Sequence, residues 1–120
     1  LDSGSQGDRQ SFGIAELTIV RQINFHKLAQ WRKKGIKFVL IDVREPAEHE
    51  AGNIGGHLVP LSDLKSGHHL FIDAQPAVIY CKRGIRSQIA IQRLKNQFPS
   101  VKFYNLQGGI IDLSPEELLG

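Results

Sequence analysis

The single cysteine of this 120-residue chain stands in a run of residues able to activate it: Tyr80-Cys81-Lys82-Arg83-Gly84-Ile85-Arg86-Ser87. A thiol becomes a nucleophile once ionised, and cationic neighbours, backbone N–H groups and a helix N-terminus all favour the thiolate. Lys82, Arg83 and Arg86 are the cations, Gly84 permits a tight loop, and a helical pattern begins directly after it. Such a loop converges backbone donors on a point just above the sulfur and forms an anion cradle. The competing reading makes Cys81 a small buried hydrophobe at a strand end, the usual fate of a free cysteine. The adjacent cations, the glycine and the helix start weigh against it.

Delivering Cys81 to such a loop requires a buried strand before it and a helix after it. The apolar run 77–80 reads as that strand, and a second run, 38–43, shows no polar alternation until Asp42. Runs of this kind suit strands covered on both faces, as in a parallel sheet. Residues 17–23 and 101–106 are further strand candidates, and a shorter run covers 57–61. The helix after the loop is predicted over 84–98, with Ala90, Leu94 and Phe98 at helical spacing and Pro99 as its stop. Asn24 caps a helix over 25–34 that places Phe25, Leu28, Ala29 and Trp31 near one face and stops at Gly35. Residues 46–50 make one or two turns, Ser62 caps a helix over 62–69 weakened by Gly67, and 114–117 open a capped final helix. Strands alternating with helices imply βαβ units: an α/β fold with about five mostly parallel strands and helices on both faces. The ligand site of such a sheet lies at the carboxyl ends of its strands, where Cys81 falls.

Composition sets the outer bounds. Hydrophobic residues make up 41% and charged ones 22%, which fits a globular domain and excludes a collagen-like fibre, a coiled-coil rod or a disordered tail. One cysteine excludes an intrachain disulfide framework and a zinc site of paired cysteines. The formal charge of +3 is too mild to imply nucleic acid, and Arg32, Lys33 and Lys34 sit where a helix dipole favours cations. No apolar stretch reaches the roughly 20 residues of a membrane helix. His49 and the pair His68-His69 lack ligand spacing with carboxylates, so no metal is expected. The polar, Gly/Ser-rich start reads as a flexible leader over 1–13, either a linker or a tag remnant, ahead of one domain over 14–120. The expected compartment is the cytoplasm, or the periplasm if a leader has been removed.

Three stretches, in order, resemble the signatures of the rhodanese family. Leu40-Ile41-Asp42-Val43-Arg44-Glu45-Pro46-Ala47-Glu48, followed by Gly52-Asn53-Ile54-Gly55-Gly56 and Pro60-Leu61, is similar to its first hallmark. The Tyr80 to Ser87 run is similar to its active-site loop, and Asn105-Leu106-Gln107-Gly108-Gly109-Ile110 to its closing signature. The resemblance implies a sulfurtransferase with no cofactor beyond a covalent persulfide on Cys81. The loop Lys82, Arg83, Gly84, Ile85 and Arg86 would hold that persulfide and an anionic donor such as thiosulfate, with Arg86 closing the loop. Asp42, Arg44 and Ser87 fall in supporting positions, and for Asp42 and Arg44 a purely structural ion pair is an equal alternative.

Related cysteine phosphatases carry a longer cradle, with arginine six positions after the nucleophile. Here that position holds Ser87, and the arginine comes one earlier, so phosphatase chemistry is disfavoured. Two departures stand out. The tryptophan expected after the glycine pair is replaced near Leu113, and Asn53-Ile54-Gly55-Gly56-His57 replaces the common His-Ile-Pro-Gly-Ala. The latter variant resembles rhodanese domains fused behind adenylyltransferases, which pass sulfur to carrier proteins. The acceptor is thus left open among cyanide, a thiol, thioredoxin and a sulfur-carrier protein, and a non-catalytic interaction module remains the alternative class.

Overall fold

Two apolar runs form the middle of the sheet. In the computed structural model, which describes residues 19–119, β2 (Val39–Asp42) and β4 (Pro76–Tyr80) pair in parallel, and every residue of β2 is buried. With β1 (Arg21–Ile23), β3 (His57–Leu58) and β5 (Lys102–Leu106) they make a five-stranded sheet in the order β1-β5-β4-β2-β3, with all its strands parallel. The two-residue period of a strand divides the apolar residues between two faces. Ala77, Ile79 and Cys81 point with Val39 and Ile41 to one face, where Ala90, Ile91 and Leu94 of α3 (Ile85–Leu94) cover them. Val78 and Tyr80 point with Leu40 to the other, against Leu28 of α1 (Phe25–Lys33), Ile54 and Ile110.

α1 starts where expected, with Asn24 Oδ1 accepting from the Lys27 N–H at 2.7 Å, and Leu28 and Trp31 pack inward while Ala29 faces solvent. α2 (Pro46–Ala51) follows β2 after a capping box between Glu45 and Glu48. Among the described residues, no helix is long and apolar enough to cross a membrane. The expected leader over 1–13, the domain boundary at 14 and the start of the strand at 17 lie outside the described residues.

Three elements differ from the sequence expectation. Residues Leu61–Leu70 form kinked 3-10 turns after Pro60, with no Ser62 cap and with Asp63 in a non-helical conformation. Gly67, expected to weaken a helix there, is required: a Cβ would lie 2.7 Å from the Val59 side chain. α3 ends at Leu94, because the N–H groups of Gln97 and Phe98 both bond the Leu94 carbonyl at 3.0 Å and tighten the chain into a turn. Phe98 then packs back on the core. The final helix is a single 3-10 turn, Pro115–Glu117, capped by Ser114.

After β5 the chain reverses through Gly108 and Gly109, both left-handed, and runs directly beneath the segment that follows β4. The Ile110 N–H bonds the Lys82 carbonyl at 3.0 Å and the Cys81 carbonyl at 3.2 Å, and the Ile111 N–H bonds Lys82 at 3.0 Å. A Cβ on Gly109 would overlap the Lys82 carbonyl and the Arg83 N–H. Gly109→Ala combines a left-handed φ with that overlap, and should cost about 1–2 kcal/mol or more. Urea unfolding checks this, with Gly108→Ala as the control: it carries the same backbone strain but opens on free space.

Candidate active site

Cys81 leaves the end of β4 with 1% of its surface exposed. Its neighbours turn at once: Gly84 adopts φ 92°, ψ 4° and becomes the cap of α3, a left-handed conformation suited to glycine. The turn brings the Gly84 N–H to 3.1 Å from Cys81 Sγ and the Ser87 N–H to 3.4 Å. Ser87 Oγ lies 3.4 Å from the sulfur as well. With the N-terminus of α3 directed at it, the sulfur sits in a ring of fixed donors.

Two opposed effects act on this thiol. Burial disfavours the charged form, while the Ser87, Arg83 and Gly84 amides favour it, as does the Ser87 hydroxyl when it is turned to donate to the sulfur. The donors prevail, and the Cys81 pKa lies below its ordinary value.

The loop side chains point away from the ring. Lys82, Arg83 and Ile85 are exposed, and with Cys81 and Arg86 they line a cleft of about 340 Å³ over the sulfur. Lys82 also borders a second cleft of about 280 Å³, between α2 and the segment around Ile110, which Arg44 and Glu48 line. Arg86, expected to close the loop, forms a bidentate pair with Glu48 of α2 at 2.7 and 2.9 Å. The Arg86 guanidinium holds the Glu48 carboxyl down at about 2. In turn, Glu48 and the Cys81 sulfur both favour the charged form of Arg86.

Asp42 and Arg44 form a buried ion pair at the end of β2. Arg44 donates through Nε at 2.9 Å and Nη2 at 2.8 Å to the two Asp42 oxygens, and Nη2 reaches the Gly52 carbonyl at 2.7 Å. His49 Nδ1 lies 2.9 Å from Asp42 Oδ2. The pair thus knits β2, α2 and the segment after α2, and the Arg44 guanidinium also stacks 5.7 Å from the Tyr80 ring centre. This arrangement braces the strand beside Cys81, and Arg44 touches the second cleft.

Four participants escaped the sequence reading. Glu48 belongs to the first hallmark, but its pairing with Arg86 spans 38 positions. The spacing of His49 bears only on metal ligation, whereas its ring meets Asp42, and among the described residues no group of three or more His, Cys, Asp or Glu is placed to hold a metal. Gly109 holds the loop from below through its close approach to Lys82. Asn105, buried in β5, accepts a hydrogen bond from Ser87 Oγ through Oδ1. Its sequence signals are its place at the head of the closing signature and a lone amide in the strand candidate 101–106, where a buried polar group needs a partner.

A family model for the rhodanese-like domain matches residues 25–114. The chain is 41% identical over 80 residues to the adenylyltransferase and sulfurtransferase MOCS3 of Drosophila grimshawi, covering 60% of this chain and 18% of that protein. It is 40% identical over 88 residues to the probable adenylyltransferase/sulfurtransferase MoeZ of Mycobacterium tuberculosis, covering 71% of this chain and 22% of that one. It is 42% identical over 74 residues to the protein YqhL of Bacillus subtilis, covering 61% and 58%. The chain therefore spans only part of these relatives. Among solved structures, a rhodanese-like domain protein from Staphylococcus aureus superposes with a TM-score of 0.74 at 22% identity, over 83% of this chain and 97% of its own. The protein SSP1007 of Staphylococcus saprophyticus does so at 0.72 and 25% identity, over 84% and 100%.

The Glu48–Arg86 pair has a pH signature. Because its folded pKa lies below the ordinary 4.5, Glu48 adds stability above that value and loses it as pH falls toward 2. Glu48→Gln should therefore be less stable than the wild type near neutrality, by on the order of 1 kcal/mol or less for so exposed a pair. The gap should close between about pH 5 and pH 2. Urea midpoints measured across that range check it.

Proposed function

Because this chain belongs to the rhodanese-like domain family, we propose that it is a sulfurtransferase domain in which Cys81 carries sulfane sulfur as a persulfide. The observation that carries this reading is the ring of Gly84 and Ser87 N–H donors around a buried sulfur. Donors fixed before the reaction stabilise negative charge on Cys81, and equally on a persulfide, without reorganisation.

The chemistry closes in two displacements. The Cys81 thiolate attacks the outer sulfur of a donor such as thiosulfate; a Cys81 S–S bond forms, and the donor's S–S bond breaks with its electron pair leaving on sulfite. A nucleophilic acceptor, either a thiolate or cyanide, then attacks the outer sulfur, and the Cys81 thiolate departs. Lys82 and Arg83, exposed on the rim of the cleft, favour an anionic donor. Arg86 joins them only to the extent that it leaves Glu48. These 120 residues hold no second cysteine to resolve the persulfide, so the sulfur goes to an acceptor outside this domain.

A second reading, a relay domain that passes sulfur to a carrier protein, has a specific support. Two relatives at 40–41% identity are adenylyltransferase and sulfurtransferase proteins by name. In that reading the exposed rim side chains meet a protein acceptor. A reducing compartment such as the cytoplasm suits either reading, because it keeps the lone thiol free.

Incubation with thiosulfate, or with a polysulfide, should add one sulfur to the intact mass. Cyanide should remove it as thiocyanate, and Cys81→Ser should show neither. A chain that gains no sulfur from any such donor is an interaction module and not a transferase. A sulfur-carrier protein with its C-terminal carboxylate activated as the acyl-adenylate, supplied with a thiol reductant, separates the two readings. The outer sulfur of the persulfide displaces AMP, and the thiol reduces the resulting acyl disulfide to thiocarboxylate and frees Cys81. Only a relay domain does this faster than it passes sulfur to a small thiol.

A further inference from the structure

Ser87 Oγ stands between two acceptors and owns one proton. On one side is Cys81 Sγ at 3.4 Å, and on the other Asn105 Oδ1, which receives the hydroxyl hydrogen in the arrangement found. With its proton so committed, Ser87 can only accept from the sulfur, which suits a protonated thiol. A thiolate needs the opposite: the hydroxyl turned to donate. The same serine must therefore change direction when Cys81 ionises, and something must let it.

Asn105 has the chemistry to do so. Its planar amide carries an acceptor and a donor at opposite corners, so a half-turn of the group replaces Oδ1 with Nδ2 in front of Ser87. The other corner faces Gln22 of β1, its register partner, whose Oε1 accepts from Asn105 Nδ2 at 3.0 Å. Gln22 is itself an exposed amide, hydrogen-bonded through Nε2 to Gln88 Oε1 and to the Val20 carbonyl at 3.3 Å each. It can rotate in solvent and still meet either corner. The chain Gln22–Asn105–Ser87–Cys81 thus has two fully paired directions, one for thiol and one for thiolate.

We propose that Asn105 is a positioning residue that lets the Ser87 hydroxyl reverse as Cys81 loses its proton to solvent, with Gln22 holding the amide in either orientation. The proposal rests on reading Cys81 as the sulfur-carrying nucleophile. The charged groups around the sulfur are Lys82 and Arg83 on the loop, Arg86 with Glu48 across the cleft, and Asp42 with Arg44 and His49 beside it. All of them remain in the variants below.

The test is the pH midpoint of Cys81 alkylation by iodoacetamide. Asn105→Asp offers Ser87 only acceptors, holding the hydroxyl away from sulfur; the midpoint should rise by about one pH unit or more. That rise should clearly exceed the one the same substitution gives in a Ser87→Ala background, where the added carboxylate charge acts alone; an equal rise there overturns the proposal. Asn105→Leu has a similar shape but no acceptor, leaving the hydroxyl free to face the sulfur, so the midpoint should stay or fall. A rise in Asn105→Leu as large as in Asn105→Asp, or no rise in Asn105→Asp, overturns the proposal. If Asn105→Asp does not fold, the Asn105 side-chain NH₂ resonances of the wild type decide. They should titrate with the alkylation midpoint and stop doing so in Ser87→Ala; resonances that stay constant, or that titrate equally in Ser87→Ala, overturn it. Both readouts follow the proton on Cys81 and not sulfur. A chain that takes no sulfur would end the proposed function and leave these midpoints standing, while persulfide formation with unmoved midpoints would end the relay alone.

Discussion

A sulfur atom sealed from water can hold negative charge only if the protein replaces the hydration it has lost. Cys81 is 1% exposed, and the replacement comes from backbone N–H groups, which the Ser87 hydroxyl 3.4 Å away joins once it turns from Asn105 to donate. Most of the surrounding structure serves that substitution. The left-handed Gly84 bends the chain so that its own amide and those of the first helical turn aim inward. Gly109 allows the β5 turn to approach closely enough for the Ile110 and Ile111 amides to occupy the carbonyls of Cys81 and Lys82. With those carbonyls turned outward and bonded, the loop presents donors alone to the sulfur.

The charged residues act one layer further out. Asp42 and Arg44 are almost fully buried, and breaking such a pair by removing one partner is costly because the other is left unpaired. Their geometry shows what they hold together: the end of β2, α2 through His49, and the Gly52 carbonyl. Glu48 leaves that same helix to meet Arg86 on α3. Two helices on either side of the cleft are thus linked by carboxylates and guanidinium groups, and the cysteine lies between them.

The central strands were legible because burial on both faces leaves an unmistakable apolar run at 38–43 and 77–80. The cysteine loop was legible because its parts are contiguous, and a strand, a glycine and a helix start can be read in order. Glu48, Asn105 and Gly109 were not, since each acquires its role from a partner brought near by parallel register and not by spacing. The 61–70 segment failed for another reason. Its residue types do not distinguish 3-10 from α turns, and Gly67, which counts against a helix by propensity, is required by its contact with Val59.

The outward direction of the loop side chains has its own consequence. Lys82, Arg83 and Ile85 present their side chains to solvent, and the sulfur is held by the loop backbone and by Ser87 beneath it. Chemistry and address are therefore written in different parts of the same residues. Substitutions at these three positions can redraw which molecule docks over the cleft while the peptide groups that stabilise the sulfur stay in place. Lengthening the loop by one residue offers no such freedom, because Gly84 and the Gly109 turn hold it at both ends.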